Sequence, residues 1–328
     1  IGSLSGAFLN LWASGGFDFQ RVEVSAYEID AHLREHLSQT LADYQGQLDI
    51  DVSVLSGDFI EEAVKLIRDG KKHFTHAILN PPYKKINSAS RHRLLLRQVE
   101  IETVNLYSAF VALTIELMEP GGQIVAIIPR SFCNGPYYRL FRDMIFAKTA
   151  IKHLHLFGAR DRAFKDDDVL QENIIILLER AAMQGDVTVT TSTDDQFNDS
   201  KTHIHPFNRI VFPDDPERFI HVPTTAEHNE IEFSPAVQSS LVDIGLEVST
   251  GPVVDFRVKP HVRQMPESGT IPLLYPNHFS GPSIDWPKQG IKKPNAIIQN
   301  DETQKWLYPN GHYVVVRRFS SLSSVLCG

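Results

Sequence analysis

An α/β protein built on a doubly wound, Rossmann-like sheet is the fold this sequence predicts, and three observations predict it. Apolar, strand-like runs alternate with helical stretches through the first 180 positions. Helices of ten or more residues between strands imply crossover connections and largely parallel pairing. The third run, Ala77-Ile78-Leu79, stops at Asn80-Pro81-Pro82-Tyr83, because consecutive prolines donate no ladder hydrogen bonds and fix φ. Finally, an acid follows each of the two preceding runs, Glu28 and then Asp58. Ligands of open α/β sheets bind at such carboxyl ends of strands.

The elements follow in order. A helix over 3–13 is expected first, then a Gly15-Gly16 turn and a strand over 22–27 that ends in Glu28-Ile29-Asp30. An amphipathic helix over 31–44 leads to a strand over 51–55 and to Ser56-Gly57-Asp58-Phe59. A helix over roughly 60–69 precedes the strand 73–79 and the Asn-Pro-Pro-Tyr loop. After a basic loop come a helix over 105–118, a Pro120-Gly121-Gly122 stop and a strand over 123–128. A helix over 137–147 and strands over 151–157 and 173–179 complete a first domain of residues 1–180. Residues 181–232 are rich in acids and turn formers and predict a linker or peripheral extension. From 233 to 328 short apolar runs between Pro and Gly turns predict a separate β-rich module.

A chain of 328 residues suffices for two domains with cores of their own. No stretch of 18 uncharged apolar residues occurs, so no membrane span is expected. Cys133 and Cys327 are too few for a disulfide framework and no signal peptide precedes Gly2, which points to the cytosol. The start at Ile1 without methionine and the finish on an apolar run suggest an internal fragment of a longer protein.

The net charge of -8 argues against a nucleic-acid partner until its distribution is examined. Residues 181–232 hold ten acids against Lys201, Arg209 and Arg218. By contrast Lys84, Lys85, Arg91, Arg93 and Arg97 follow the Pro-Pro-Tyr loop with no acid among them until Glu100. Local charge decides what a cleft attracts. The module from 233 onward is only mildly basic, with nine Lys and Arg against seven Asp and Glu.

The loop itself carries a definite chemistry. Asn80 offers a side-chain carbonyl, Pro81 a backbone carbonyl and Tyr83 a flat π surface, all held by the rigid Pro81-Pro82 pair. Two acceptors beside an aromatic face suit a planar group bearing an NH2, whether adenine, cytosine or a glutamine amide. No metal is expected, since His73, His76, His153, His155 and Cys133 lack ligand spacing and suit structural roles.

Taken in order, Ile1-Gly2, Tyr27-Glu28-Ile29-Asp30, Gly57-Asp58-Phe59, Asn80-Pro81-Pro82-Tyr83, Leu106-Tyr107-Ser108-Ala109-Phe110 and Glu119-Pro120-Gly121-Gly122-Gln123 resemble the gamma class of N6-adenine DNA methyltransferases from bacterial and archaeal restriction-modification systems. The resemblance covers residues 1–180. It implies a seven-stranded sheet, S-adenosylmethionine as cofactor and double-stranded DNA as partner, with a nuclease domain or subunit in the complete system. Glu28 would hold the ribose with Ile29 beside it, Asp58 the cofactor's adenine with Phe59 beside it, and Gly2 the methionine end, with Asn80 at the border of the two pockets. The target adenine would be flipped out of the duplex. The Asn80 side chain and Pro81 carbonyl would accept its N6 protons while Tyr83 stacks on the ring, a contact worth roughly 1–3 kcal/mol.

The sequence departs from the family pattern at two places. The first motif, Asp-Pro-x-x-Gly-x-Gly, is absent before Ile1 together with the first strand of the sheet. A second aromatic wall is expected just before the last strand, where Val169-Leu170 stand; Phe164 is the nearby candidate.

Residues 249–257 and 271–279, with Trp286, resemble the target-recognition domain of the same enzymes. There Arg257, Lys259, Asn277 and His278 would contact DNA, as would Lys84, Lys85, Arg91 and Arg93 in the first domain. Two other readings remain open: N5-glutamine methylation of a protein, which lacks a use for the module after 233, and a non-catalytic DNA-binding subunit with a methylase-like fold.

Overall fold

The computed structural model describes residues 3–71, 74–158, 172–194, 196–223, 239, 241, 243–280 and 283–315. The chain divides into two compact units, Ile1–Phe233 and Ser234–Gly328.

The first unit runs α1 (Ser3–Ala13), β1 (Val22–Tyr27), α2 (Ala31–Gln45), β2 (Ile50–Leu55), α3 (Phe59–Arg68), β3 (Phe74–Leu79), α4 (Arg91–Arg97), α5 (Leu106–Leu117), β4 (Met118–Pro129), α6 (Arg139–Lys148), β5 (Thr149–Phe157), β6 (Asn173–Arg180), β7 (Val187–Ser192), β8 (Lys201–His205) and α7 (Phe207–Ile210). Side-chain caps start the helices after β1 and β2. Asp30 accepts from the amides of His32 and Leu33, and Asp58 from those of Ile60 and Glu61, which satisfies donors that lack an intrahelical partner. Helix α5 is apolar nearly all round, and ten of its twelve residues are buried. It is the central helix of the unit rather than a surface one.

β1 and β2 form a parallel pair, and the other strands form a six-stranded sheet in the order β3-β4-β6-β5-β7-β8. Among the described residues β1 and β3 each keep one edge without a strand partner. The Phe19 ring packs 5.4 Å from His76 on β3. The small core beneath β1 and β2 is built on Leu9, Trp12, Leu37, Leu41 and Ile50, and the larger one lies under the six-stranded sheet.

Two expectations are corrected. The sheet is mixed rather than largely parallel, because β6 runs antiparallel to both β4 and β5. As β5's sequence neighbour, β6 lies beside it in space and returns along it instead of crossing over.

The acidic stretch after residue 180 is also no linker. β7 pairs with β5 and β8 with β7, and Val187, Val189, Ile210, Val211, Ile220 and Val222 are buried in the main core. Acid content misled because the carboxylates sit in the turns. Asp199 accepts from the Thr193 amide and Asp215 from those of Glu217 and Phe219, while β-branched residues between them form strands.

The second unit is small and irregular. It holds a three-stranded antiparallel sheet, β10-β13-β9, from Val262–Arg263 (β9), Thr270–Pro272 (β10) and Ala296–Ile298 (β13), beside a two-stranded ribbon of Phe279–Ser280 (β11) and Ser283–Ile284 (β12). Its hub is the fully buried Asn295. The Asn295 amide donates to the carbonyls of Gln264 and Lys288 and accepts from the Lys288 amide, and its backbone carbonyl takes the Trp286 indole N–H.

Candidate active site

Asn80 is exposed at the carboxyl end of β3, followed by buried Pro81 and half-buried Tyr83. The Tyr83 hydroxyl lies 3.2 Å from Asn80 Oδ1 and 3.2 Å from the Ile127 carbonyl on β4. The loop is thus pinned to the neighbouring strand by its aromatic residue. Behind Tyr83 stands a row of rings. Tyr107 on α5 meets Tyr83 edge to face at 6.3 Å, and Tyr138 lies 5.7 Å from Tyr107. The row is anchored in polar contacts, with Tyr107 Oη 3.2 Å from Ser131 Oγ and the Asn105 amide donating to the Tyr138 hydroxyl. Burial pushes the Tyr107 phenol far above its ordinary range, so it stays neutral.

The segment after β4 that supplies Ser131 and Tyr138 is itself tightly held. Buried Arg142 donates to the carbonyls of Phe132, Gly135 and Glu217. A Cβ at Gly135 would stand 2.7 Å from the Ser131 carbonyl and 2.7 Å from the Tyr138 ring, so only glycine fits there.

The two strand-end acids are positioned by the local chain. Glu28 Oε1 accepts from the Asp30 amide at 2.9 Å. Arg34 on α2 donates to the carbonyls of Glu28 and Ile29 at 3.2 and 2.9 Å, clamping the turn between them. Ile29 is exposed at 68%, an apolar side chain left open beside Glu28. Phe59, next to Asp58, packs its ring against Tyr27 at 5.1 Å and Phe110 at 4.8 Å. The Tyr27 contact ties the ends of β1 and β2 together. Asp58 Oδ2 also meets His92 Nε2 on α4 at 2.9 Å.

Gly2 and Phe164, and Val169-Leu170 with it, lie outside the described residues. Of the basic positions, Lys84, Lys85 and Lys259 are exposed, and Arg257 is exposed with its guanidinium over the Phe256 ring. Arg91 is exposed and paired with Glu61. Arg93 is a correction. It is buried, with its guanidinium on Glu102 and the Thr103 carbonyl, and cannot reach a phosphate. His278 is a second correction. It is fully buried, accepting from the Tyr275 amide and meeting Asn295 Oδ1, so it holds the second unit together, while Asn277 beside it stays exposed.

Among the described residues no group of His, Cys, Asp and Glu could hold a metal ion, and no helix is long and apolar enough to cross a membrane. His153 and His155 bond to Thr190 and Ser192. Burial pushes the Cys133 thiol up to about 12, which leaves it unreactive.

Sequence reasoning missed α4, Arg34, His92 and the ring row behind Tyr83. Tyr107 falls within Leu106-Tyr107-Ser108-Ala109-Phe110, and His92 gives no sequence signal, because its partner stands 34 residues earlier.

This geometry agrees with comparison to known proteins. Residues 7–164 match the Eco57I restriction-modification methylase family. The restriction-modification methylase resemblance read from the motif order is borne out. The type II methyltransferase M.BsuBI of Bacillus subtilis is 56% identical over 328 residues, which are 98% of this chain and 65% of that protein. The type II methyltransferase M.PstI of Providencia stuartii is 39% identical over 331 residues, with the same two shares. This chain therefore spans 65% of the length of either relative. Among solved structures, a modification subunit of a putative type I restriction enzyme from Vibrio vulnificus YJ016 aligns with a TM-score of 0.47 at 9% identity, over 64% of this chain and 49% of that one.

Proposed function

We propose that this chain carries the methyl-transferring site of a type II adenine-specific DNA methyltransferase that uses S-adenosylmethionine. The observation that carries the reading is the pinned loop at the end of β3, where the Tyr83 hydroxyl lies 3.2 Å from Asn80 Oδ1 and from the Ile127 carbonyl. The relatives' type II methyltransferase names support it.

The residues at the ends of β1 and β2 fit the cofactor. Glu28 Oε2 has no hydrogen bond from the turn that holds Oε1, and Asp58 Oδ2 has an acceptor direction beyond its contact with His92. Glu28 would take the ribose hydroxyls, with Ile29 lying along the adenine, and Asp58 would take the adenine amino group beside Phe59. When bound, S-adenosylmethionine supplies an electrophilic methyl on a sulfonium sulfur.

The chain's own part is positioning and electrostatics. Tyr83 stacks on a flipped adenine. Asn80 Oδ1 and the Pro81 carbonyl accept the two N6 protons, which draws the nitrogen lone pair out of conjugation with the ring and aims it. Lys84 and Lys85, exposed directly after the loop, contact the backbone of the extruded strand. Residues 1–180 with the strands that follow form the catalytic domain, and the unit from 234 onward recognises the DNA site through Arg257, Lys259 and Asn277. The setting is a bacterial cytoplasm, with a nuclease, fused or separate, as the partner activity.

The test is transfer of labelled methyl from S-adenosylmethionine to duplex DNA by the full-length protein, with digestion to nucleosides. N6-methyladenine from the wild type and none from Asn80→Ala is the expected result. Label on cytosine, or on protein alone, would overturn the reading.

A further inference from the structure

Helix α4 follows the target-base loop, and its first turn is fastened to the start of α3. Arg91 Nη2 lies 2.8 Å from Glu61 Oε2 and His92 Nε2 lies 2.9 Å from Asp58 Oδ2. Asp58 Oδ1 is already committed as the helix cap, accepting the Ile60 amide at 2.9 Å and the Glu61 amide at 3.3 Å. A carboxylate offers about four lone-pair directions. Two are taken on Oδ1 and one on Oδ2, so a single acceptor direction remains, on the oxygen that His92 holds. Facing an ionised carboxylate, the ring nitrogen must carry a proton, which makes His92 the donor. Both side chains are partly open, His92 at 33% and Asp58 at 26%, so a ligand can reach the pair.

We infer that His92 is a positioning residue for the cofactor site: it fixes Asp58 Oδ2 so that the one remaining acceptor direction takes a proton of the cofactor adenine's amino group. The inference rests on the proposed cofactor reading. It gives α4 two duties, since the helix that orients the cofactor's acid also anchors the far end of the loop that begins at Asn80. An imidazole donor suits this place better than a lysine or arginine. It fills one direction on Oδ2 with one N–H, whereas a guanidinium offers a fork of donors that would fill both.

The test compares two probes on the full-length protein, S-adenosylhomocysteine and its purine-base analogue lacking the 6-amino group. Wild type is expected to prefer the amino form by about tenfold, the scale of one hydrogen bond to a charged group. In His92→Ala the preference falls to about twofold. In His92→Gln, whose amide nitrogen can stand near the Nε2 position, it returns to near the wild-type value. A His92→Ala protein that keeps the full preference, or that loses affinity for both probes equally, would show that the pair does not aim Asp58 and would overturn the inference. So would a His92→Gln protein indistinguishable from His92→Ala. Wild type that binds neither probe overturns the cofactor reading beneath it, and this inference with it.

Discussion

The Tyr83 hydroxyl stands 3.2 Å from Asn80 Oδ1 and the same distance from the Ile127 carbonyl, and with one proton it donates to only one of them at a time. A phenol shared between the proposed catalytic amide and the adjacent strand can release Asn80 Oδ1 to a substrate N–H while staying bonded to β4. Ring and hydroxyl therefore have separable roles. Tyr83→Phe keeps the stacking surface and loses the tether, so kcat should fall about 3- to 10-fold, the scale of one neutral hydrogen bond, with KM for DNA little changed. Tyr83→Ala also loses the stack, roughly 1–3 kcal/mol, and kcat/KM should fall a further 10-fold or more. Steady-state methyl transfer on both variants measures this; equal losses would mean that the ring contributes nothing.

Arg142 predicts a stability effect without a role in chemistry. Its fully buried guanidinium serves three carbonyls, those of Phe132, Gly135 and Glu217, and lies over the Phe219 ring at 5.0 Å. Truncation strands all three acceptors. Arg142→Met should cost about 3 kcal/mol or more in denaturant unfolding. Arg142→Lys should recover little, because an ammonium cannot reproduce the fork.

How far the sequence showed this architecture can be read from particular elements. The spans of α1 and β1 agree with expectation at both ends, and those of α2, β2, α3 and α5 to within a residue or so, because strand runs and helix-capping acids are local signals. β7 and β8 were hidden under a composition argument, since acids in turns dominate the count while Val187 and Val189 do the burying. Of the candidate site, Glu28, Asp58 and Asn80 stand out in the sequence because each follows a strand run, and Tyr83 because it closes the Asn-Pro-Pro-Tyr loop. What surrounds them does not. The His92 to Asp58, Arg142 to Glu217 and Tyr107 to Tyr138 contacts span 31 to 75 residues, and no periodicity reports a partner at that range.

Two histidines on β5, half-buried His153 and buried His155, set an acid limit. Burial lowers the affinity of His153 and His155 for a proton from the ordinary 6.5, and repulsion from His153 lowers that of His155 further. Both therefore take up a proton less readily in the folded state than in the unfolded chain, which does so below about 6.5. Stability should be fully present above that pH and decline as pH falls through it. Urea midpoints measured from pH 8 to 5 should drop less steeply in a His153→Gln, His155→Gln double variant than in wild type. Parallel profiles would assign the acid sensitivity to other groups.

The second unit depends on one amide. Asn295 is fully buried and joins Gln264, Lys288 and His278. Asn295→Ala leaves these groups without a partner, and each stranded polar group costs about 1–3 kcal/mol. Limited proteolysis should then cut between 243 and 315 in the variant at a protease level that spares the wild type, while the first unit stays intact. Loss of both units together would mean that they do not unfold independently.

Basic residues near the loop divide by burial, and salt dependence should separate them. Lys84 and Lys85 are exposed beside the proposed target pocket, whereas Arg93 is committed to Glu102 and the Thr103 carbonyl. Hydrogen bonds from Arg97 and Arg93 hold the Glu102 carboxyl below its usual range despite the opposing effect of burial. That pairing marks Arg93 as part of the packing between α4 and the strand-like segment before α5. Each lysine that neutralises a phosphate contributes about 0.9 to the slope of log K against log salt. Lys84→Ala with Lys85→Ala should therefore flatten the slope for duplex DNA by up to about 2, with melting unchanged. Arg93→Ala should leave the slope as it is and lower the melting temperature instead, since it strands the carbonyl of buried Thr103 while Glu102 keeps Arg97. A slope change from Arg93→Ala in a protein that melts normally would return that residue to the DNA-contacting set.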